Sequence, residues 1–355
     1  MRLSDLRPAS YLVASATVDR LRASRFSMRG LPPLAWAEPA VDLVSDAVAL
    51  GEEFLVASQD DAGFVRAFQL TPGTSTVWMT AHVALVTEDI PSMERFRRRA
   101  AEYLIRAGRD DGGFGYNRRV GRDIDSTCQA LMVIESVGME AAGYLHDWVR
   151  ASQRPDGSFS TYVTDDPALA SGWHAPHPDV TQMVAWYFIR RGDEDAYAAC
   201  AGWLEEVGEP GERPSYWWPG IGYGLWLTGR VGRETVPSMQ VVEELERSHA
   251  LPHQAWALGA GVDSLEATTV EASVRRLLAQ QLADGSWVCA PCLRVTSRSV
   301  NAASSSAPGR VYSDPYRVLS TAHAIAALNE AALSVRAGSP SMSSPDRAAP
   351  QALDR

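Results

Sequence analysis

QLADGSW, residues 281–287, is the clearest copy of a short motif that recurs along this 355-residue sequence. Related copies occupy residues 59–64, 109–114 and 153–159. Each copy follows an amphipathic run and combines Asp and Gly with an aromatic residue, which is typical of a helix that ends at a tight turn. The copies therefore predict a repeat of about 50 residues, in the range of helical repeat proteins.

A second, more apolar segment follows each copy of the motif. These segments are STVWMTAHVALV (75–86), DSTCQALMVIESV (125–137), DVTQMVAWYFI (179–189) and YRVLSTAHAIAALNEAAL (316–333). Two degenerate pairs, 193–227 and 235–260, fill the gap before the fourth copy. A helix that is apolar all round must be buried. Six charged-faced helices around six apolar ones predict an all-α fold, an (α/α)6 barrel or toroid of outer and inner helices.

The pattern predicts one barrel domain rather than two domains. The barrel is expected over residues 41–335, after an N-terminal arm of residues 1–40. Residues 296–314 are expected to form a long loop. Residues 336–355, rich in Ser, Pro and Ala, are expected to be a disordered tail.

Composition excludes several classes of protein. The net charge of −10 argues against a nucleic-acid partner, which would require a basic face. The sequence has no run of 18 apolar residues and therefore no predicted membrane span, and its N-terminus is too polar for a signal peptide. Four cysteines in so long a chain do not form a disulfide framework. We therefore expect a cytoplasmic protein; a peripheral membrane contact and a homodimer are both compatible with the sequence.

The strongest chemical signal is the pair Asp123 and Asp125 at the start of the second apolar segment. Desolvation and like charge raise the pKa of one of two neighbouring carboxyls. A protonated carboxyl that faces an apolar cavity can act as a general acid. A competing interpretation is that Asp125 or Ser126 simply caps the helix, since Asp179 and Ser75 hold similar places in other repeats.

These motifs resemble a known superfamily over residues 45–333. The Gln-x-x-Asp-Gly-Ser-Trp/Phe turns are similar to the repeats of squalene–hopene cyclases, oxidosqualene cyclases and protein prenyltransferase β subunits. Asp123–Thr127 resembles the Asp-x-Asp-Asp-Thr signature of class II terpene cyclases, whose middle Asp protonates an alkene or epoxide. The resemblance implies that Asp125 is the acid and Asp123 its carboxylate neighbour. Ser126 replaces the third Asp, and one domain replaces the usual two.

Aromatic residues crowd the middle of the chain and suggest a lining for a cationic intermediate. A desolvated aromatic face stabilises a cation by about 2 kcal/mol; the alternative is that many of these rings only fill gaps between helices. His174, in a loop bracketed by Trp and Pro, is a candidate to orient the acid. The candidate substrate-binding residues are Trp78, Trp173, Trp186, Tyr187, Trp217, Trp218, Tyr223 and Arg122.

The sequence predicts no metal site and no cofactor, with Mg²⁺ needed only for a diphosphate substrate. Cys289 and Cys292 form a lone Cys-x-x-Cys without further ligands nearby. The leading hypothesis is a class II terpene cyclase, an isomerase or lyase of natural-product biosynthesis, acting on an apolar isoprenoid or isoprenoid-bearing substrate. The alternatives are an acid–base cyclase or lyase for a non-terpenoid substrate, and a non-catalytic ring that binds lipid or peptide.

Overall fold

A computed structural model describes residues 38–108, 112–163, 172–234, 236–248, 250–296 and 309–338. The predicted arm up to residue 37, residues 297–308 of the predicted loop, and the tail after 338 lie outside this part. The helices and strands are α1 Glu38–Ser58, β1 Ala67–Leu70, β2 Gly73–Ser75, α2 Trp78–Val86, α3 Glu94–Ala107, α4 Ile124–Ser136, α5 Gly143–Ala151, α6 Pro178–Arg191, α7 Glu194–Val207, α8 Gly222–Val231, α9 Ser238–Arg247, α10 His253–Gly261, α11 Ala267–Ala279, β3 Leu293–Thr296, β4 Gly309–Tyr312 and α12 Val318–Gly338.

The even-numbered helices form a closed inner ring. Each packs on the next, from α2 to α4 and onward to α12, and α12 returns to α2. The odd-numbered helices cover the ring from outside. Inner helices are enclosed on all sides, and every residue of α2 is buried. This arrangement confirms the predicted (α/α)6 barrel. None of the described helices is long and apolar enough to cross a bilayer.

The recurring turns join consecutive outer helices. Gln281 Nε2 donates to Gly285 O of its own turn (3.0 Å) and to Ala47 O of α1 (2.8 Å). Gln153 Nε2 makes the equivalent bonds to Gly157 O and Ala196 O. The same side chain therefore closes the turn and fixes the neighbouring helix. The copy at 281–287 joins the last outer helix to the first and closes the ring.

Glycine is required in these turns by conformation and by space. Gly285 has φ +84°, and a Cβ at this position would lie 2.2 Å from Leu50 O of α1. A side chain here would push α1 away from α11. We expect Gly285→Ala to lower the free energy of unfolding by at least about 2 kcal/mol, measured by urea denaturation.

Gly138 provides the matched control, because it has φ +73° and no atom within 4 Å of a built Cβ. Gly138→Ala should cost only the conformational penalty of a positive φ, about 1 kcal/mol. Equal losses in the two variants would show that contact with α1 is not the reason for Gly285.

A threonine in four inner helices fixes each helix against its turn. Its hydroxyl oxygen accepts a hydrogen bond from the backbone N–H of a turn residue. The pairs are Thr80 with Val65, Thr127 with Phe114, Thr181 with Phe159, and Thr321 with Trp287. These bonds set the height of each inner helix, so that residues equally spaced from the threonine lie at one level of the barrel.

Two short antiparallel hairpins, β1–β2 and β3–β4, were not predicted from the sequence. They reach the end of the barrel at which the inner helices begin, because residues of both hairpins share one cavity with the first turn of α4. Tyr116 OH donates to Phe68 O of β1 (2.7 Å). The hairpins thus cover one end of the barrel.

Ion pairs cross the opposite end of the barrel. Arg190 of α6 donates to Glu88 Oε1 (2.6 Å), and Arg230 of α8 donates to Asp89 Oδ2 (2.9 Å) and to Glu330 of α12. Glu88 and Asp89 therefore bind neighbouring inner helices together. Their engagement with arginines gives them a structural role in this fold.

Candidate active site

A cavity of about 240 Å³ lies at the end where the inner helices begin. Its lining is mostly aromatic and aliphatic, with three aspartates. It is lined by Leu70, Thr71, Pro72, Trp78, Tyr116, Val120, Asp123, Asp125, Ser126, Thr161, Tyr162, Trp173, Asp179, Val180, Met183, Trp217, Trp218, Tyr223, Leu293, Val295 and Tyr312.

Asp123 is the N-cap of α4. Its Oδ1 accepts the N–H of Ser126 (2.8 Å), and its own N–H donates to Phe114 O (2.8 Å). The carboxyl is nevertheless buried and lines the cavity. The capping role that the sequence left open thus belongs to Asp123, and it leaves Asp125 free of that role.

Asp125 lies in the first turn of α4 and faces the cavity. Its side chain is half-buried and lines the cavity. Its Oδ1 is buried and has no hydrogen-bond partner among the described residues. Burial raises the pKa of Asp125 to about 6.

The two carboxyl groups act as one titrating unit. Burial, and then the charge of Asp125, raise the pKa of Asp123 well above its ordinary value. The two side chains influence each other's titration. Because burial disfavours two charges at this spacing, the pair retains a proton to higher pH than an isolated aspartate would.

Aromatic rings surround the cavity in two groups. In the first, Trp218 lies 5.8 Å from Trp78 and 4.7 Å from Tyr223, measured between ring centroids. In the second, Trp173 lies 5.8 Å from Trp217 and 5.9 Å from Tyr162. Five of the seven predicted aromatic residues therefore lie together around the acid pair. Tyr116, Tyr162 and Tyr312 complete the lining and were not predicted.

The other predicted residues lie away from the cavity lining. Trp186 packs against Trp226 at the far half of the barrel. Tyr187, next along α6, hydrogen-bonds His146 of the outer helix α5. Both are about two helical turns beyond the start of α6, which is too deep to reach the cavity.

The two predicted polar residues also lie outside the lining. The Arg122 guanidinium stacks 4.3 Å from the Trp148 ring. His174 lies in a single 3₁₀ turn, where its carbonyl accepts from Arg154. The neighbouring His177 is instead close to the site, because it precedes Thr181 by four residues as Asp123 precedes Thr127.

His177 is neutral and has a defined tautomer. Its Nε2–H donates to Gly172 O (2.8 Å), and its Nδ1 accepts from the Thr161 hydroxyl (3.1 Å), which itself accepts the Trp217 Nε1–H (2.7 Å). Burial lowers the pKa of His177 to about 4. The ring therefore orients Thr161 and Trp217, both of which line the cavity.

Asp179 is a third carboxylate in the lining. It accepts hydrogen bonds from the Ser215 hydroxyl (2.7 Å), from the Trp217 N–H (3.0 Å) and from the Tyr216 N–H (3.2 Å). The buried Arg294 guanidinium donates to Tyr216 O (3.0 Å) and to Ser215 O. Opposite charges thus hold segment 215–217, which presents Trp217 to the cavity.

The described residues contain no group of three or more side chains suited to a metal ion. Cys289 and Cys292 are buried free thiols with their sulfur atoms 3.7 Å apart. Burial raises the pKa of Cys292 well above its ordinary value, which keeps it a thiol rather than a thiolate ligand.

No family model and no curated protein matches this chain. Solved structures do match. A variant of the type II terpene cyclase MstE from Scytonema, bound to its substrate geranylgeranyl dihydroxybenzoate, has a TM-score of 0.70 and 20% identity over 84% of this chain and 100% of that chain. A protein from Actinoplanes has a TM-score of 0.68 and 23% identity over 81% and 99% of the two chains.

The chain thus has the fold of type II terpene cyclases. The Scytonema protein is matched over its whole length, so it too consists of one such ring. An unsaturated glucuronyl hydrolase specific for heparin, with a TM-score of 0.50 and 8% identity over 82% of this chain and 97% of that one, has a related ring. One architecture can host different chemistry, so the function depends on the residues of the site.

Proposed function

We propose that the protein is a class II terpene cyclase that protonates an isoprenoid-bearing substrate, with Asp125 as the general acid. The observation that carries the proposal is a pair of neighbouring carboxyl groups, each with a pKa raised by burial, at the wall of an aromatic-lined cavity. An alkene has no basic atom, so its protonation requires a strong acid shielded from water. A desolvated carboxylic acid without a competing hydrogen bond on Oδ1 suits this task.

The reaction follows from the arrangement of acid and rings. Asp125 transfers its proton to the terminal alkene. This leaves a tertiary carbocation on the substrate and an additional negative charge on the Asp123–Asp125 pair. Internal double bonds then attack the cation in turn and close the rings. Trp78, Trp218 and Tyr223 present π faces that stabilise the migrating charge. Loss of a proton, or capture of water, ends the sequence, and the acid pair regains a proton from solvent.

The lining favours a substrate without a diphosphate. No arginine of the described residues lines the cavity, while three aspartates do. A diphosphate would meet like charge without a compensating cation. We propose an isoprenoid attached to an aromatic head group that carries less negative charge than a diphosphate, and the substrate of the Scytonema protein is a suitable probe. No Mg²⁺ is needed for such a substrate.

A sugar hydrolase is less compatible with this site. Carbohydrate recognition requires many hydrogen-bonding groups, whereas most side chains around this cavity are aromatic or aliphatic. The matched hydrolase therefore shares the ring but supplies no argument for sugar chemistry here.

Incubation of the purified protein with geranylgeranyl dihydroxybenzoate tests the function. We expect a product that has lost alkene signals in its NMR spectrum, with unchanged mass if a proton is lost or with the mass of one added water if water is captured. Geranylgeranyl diphosphate with Mg²⁺ is the contrasting substrate and should remain uncyclised. Cyclisation of the diphosphate alone would contradict the proposed head group, and absence of any cyclic product would contradict the proposed function.

A further inference from the structure

Asp125 and Asp179 occupy the same position in neighbouring repeats. Each stands two residues before the threonine that fixes its inner helix, Thr127 in α4 and Thr181 in α6. Both therefore lie at one level of the barrel, and both line the cavity. The repeat thus places two carboxyl groups on adjacent helices around one apolar space.

Their surroundings differ in one decisive respect. Asp125 Oδ1 has no hydrogen-bond partner in the described part of the chain. Asp179 accepts one hydroxyl and two backbone N–H groups on its two oxygens. Hydrogen bonds to a carboxylate favour the charged form, whereas desolvation without such bonds favours the neutral acid. Asp179 therefore has the donors that suit a carboxylate, and Asp125 Oδ1 has none.

The groups around Asp179 include a histidine and an arginine. His177 is neutral because burial lowers its pKa to about 4. The Arg294 guanidinium donates to carbonyls of segment 215–217. Asp179 accepts hydrogen bonds from N–H groups of the same segment. The Arg294 cation interacts electrostatically with Asp179, while the carboxylate itself borders the cavity.

A negative charge at this place has a specific use. The inner helices α4, α6 and α8 all begin at the cavity, and a helix N-terminus carries a positive partial charge of about half an elementary charge. Such an arrangement stabilises carboxylates but opposes a carbocation. Aromatic quadrupoles and a fixed anion can offset that opposition.

We propose that Asp179 is the ionised member of a three-aspartate site, a carboxylate that borders the bound substrate, retains the proton on the Asp123–Asp125 pair and stabilises the carbocation formed after proton transfer. The last of these roles rests on the proposed cyclase function. Retention of the proton does not, because it concerns only electrostatics among residues of the protein. The two roles can therefore be tested separately.

The charged and titratable groups near the pair are contributed by several elements. Asp123 and Cys128 come from α4 and its cap, Asp179 from α6, and Tyr223 from α8. His177, Tyr216 and Arg294 face Asp179. Of these, Asp179 is the group whose negative charge raises the pKa of Asp125 from a neighbouring helix.

A carboxyl ¹³C NMR titration of aspartate-labelled protein measures the retention of the proton. In Asp179→Asn the protonation midpoint of the Asp123–Asp125 pair should fall by about one pH unit, because removal of a nearby negative charge eases ionisation. Asp123→Asn and Asp125→Asn identify the signals. Ser215→Ala removes a neutral donor to Asp179 but no charge, so the protonation midpoint of the Asp123–Asp125 pair in this variant should match the wild type.

An unchanged midpoint in a folded Asp179→Asn protein overturns the proposal, as does an equal fall in Ser215→Ala. If Asp179→Asn does not fold, Arg294→Gln supplies the opposite test. It retains donors for the two carbonyls but removes the positive charge, and the midpoint should rise. A midpoint that does not rise overturns the proposal.

The titration needs no substrate, so it separates the two hypotheses. A failed cyclisation assay overturns the proposed function and leaves the midpoint result intact. In an active enzyme, Asp179→Asn should lower kcat by about 100-fold with little change in KM, since the charge acts on the cationic stage rather than on binding. A raised KM with unchanged kcat would overturn the role in cation stabilisation.

Discussion

Asp125→Asn should lower the rate of cyclisation by about 10²–10⁴-fold while the barrel remains folded. The amide occupies the same volume but has no proton acidic enough for an alkene. Asp123 holds its own hydrogen bond to the Ser126 N–H and supports the start of α4, so the variant retains its helix cap. The measurement is product formation in a single turnover with geranylgeranyl dihydroxybenzoate.

Glu244→Gln is a matched control for this experiment. Glu244 is also buried, and burial raises its pKa, but it faces Arg247 and His253 rather than the cavity. Loss of this carboxyl should leave the rate unchanged. If both variants lose activity equally, or if Asp125→Asn remains fully active, Asp125 is not the acid.

Asp125→Asn should also make the protein more stable at pH 8, by up to about 3 kcal/mol. The pKa of Asp125 is raised from 3.8 in the unfolded chain to about 6 in the folded protein. At pH values below the pKa of the unfolded chain, the carboxyl is protonated in both states and does not lower the free energy of unfolding. As pH rises through the folded pKa, the buried group must ionise, and the wild type loses stability that the amide variant retains.

Urea denaturation at pH 4 and at pH 8 checks this expectation. The two proteins should have similar free energies of unfolding at pH 4 and diverge as pH rises to 8. Glu330→Gln offers a contrast. Burial also raises the pKa of Glu330, but its carboxylate forms an ion pair with Arg230, and loss of that ion pair costs stability. A constant difference between Asp125→Asn and wild type at all pH values would indicate a packing effect rather than a desolvated acid.

Much of the architecture could be predicted because it depends on local patterns. The turns at 59–64 and 281–287 combine a helix end, a positive-φ glycine and a glutamine that bonds to the next helix. Each feature is encoded within a few residues. The Asp123–Asp125 pair could be recognised for the same reason, as it is contiguous and lies at a helix start.

The rest of the site could not be predicted, because it depends on which side of each inner helix faces the cavity and on how far along the helix each residue lies. Trp186 and Tyr187 are as aromatic as Trp217 and Trp218, but they lie too far along α6. The sequence predicts His174, but it is His177 that bonds to Thr161 of the lining, and its spacing from Thr181 matches that of Asp123 from Thr127. Alignment of the repeats on their threonines would have found it.

By itself, the sequence determined the helix pairs, their number and the position of the acid motif, since hydrophobic periodicity and turn chemistry act over short distances. Only the tertiary structure decided that Asp179 shares a cavity with Asp125 and that hairpins cover it. Ring closure brings together residues far apart in the chain, such as Arg294 and Tyr216. The protonation states follow from that assembly, because each depends on which donors the fold delivers to each carboxyl.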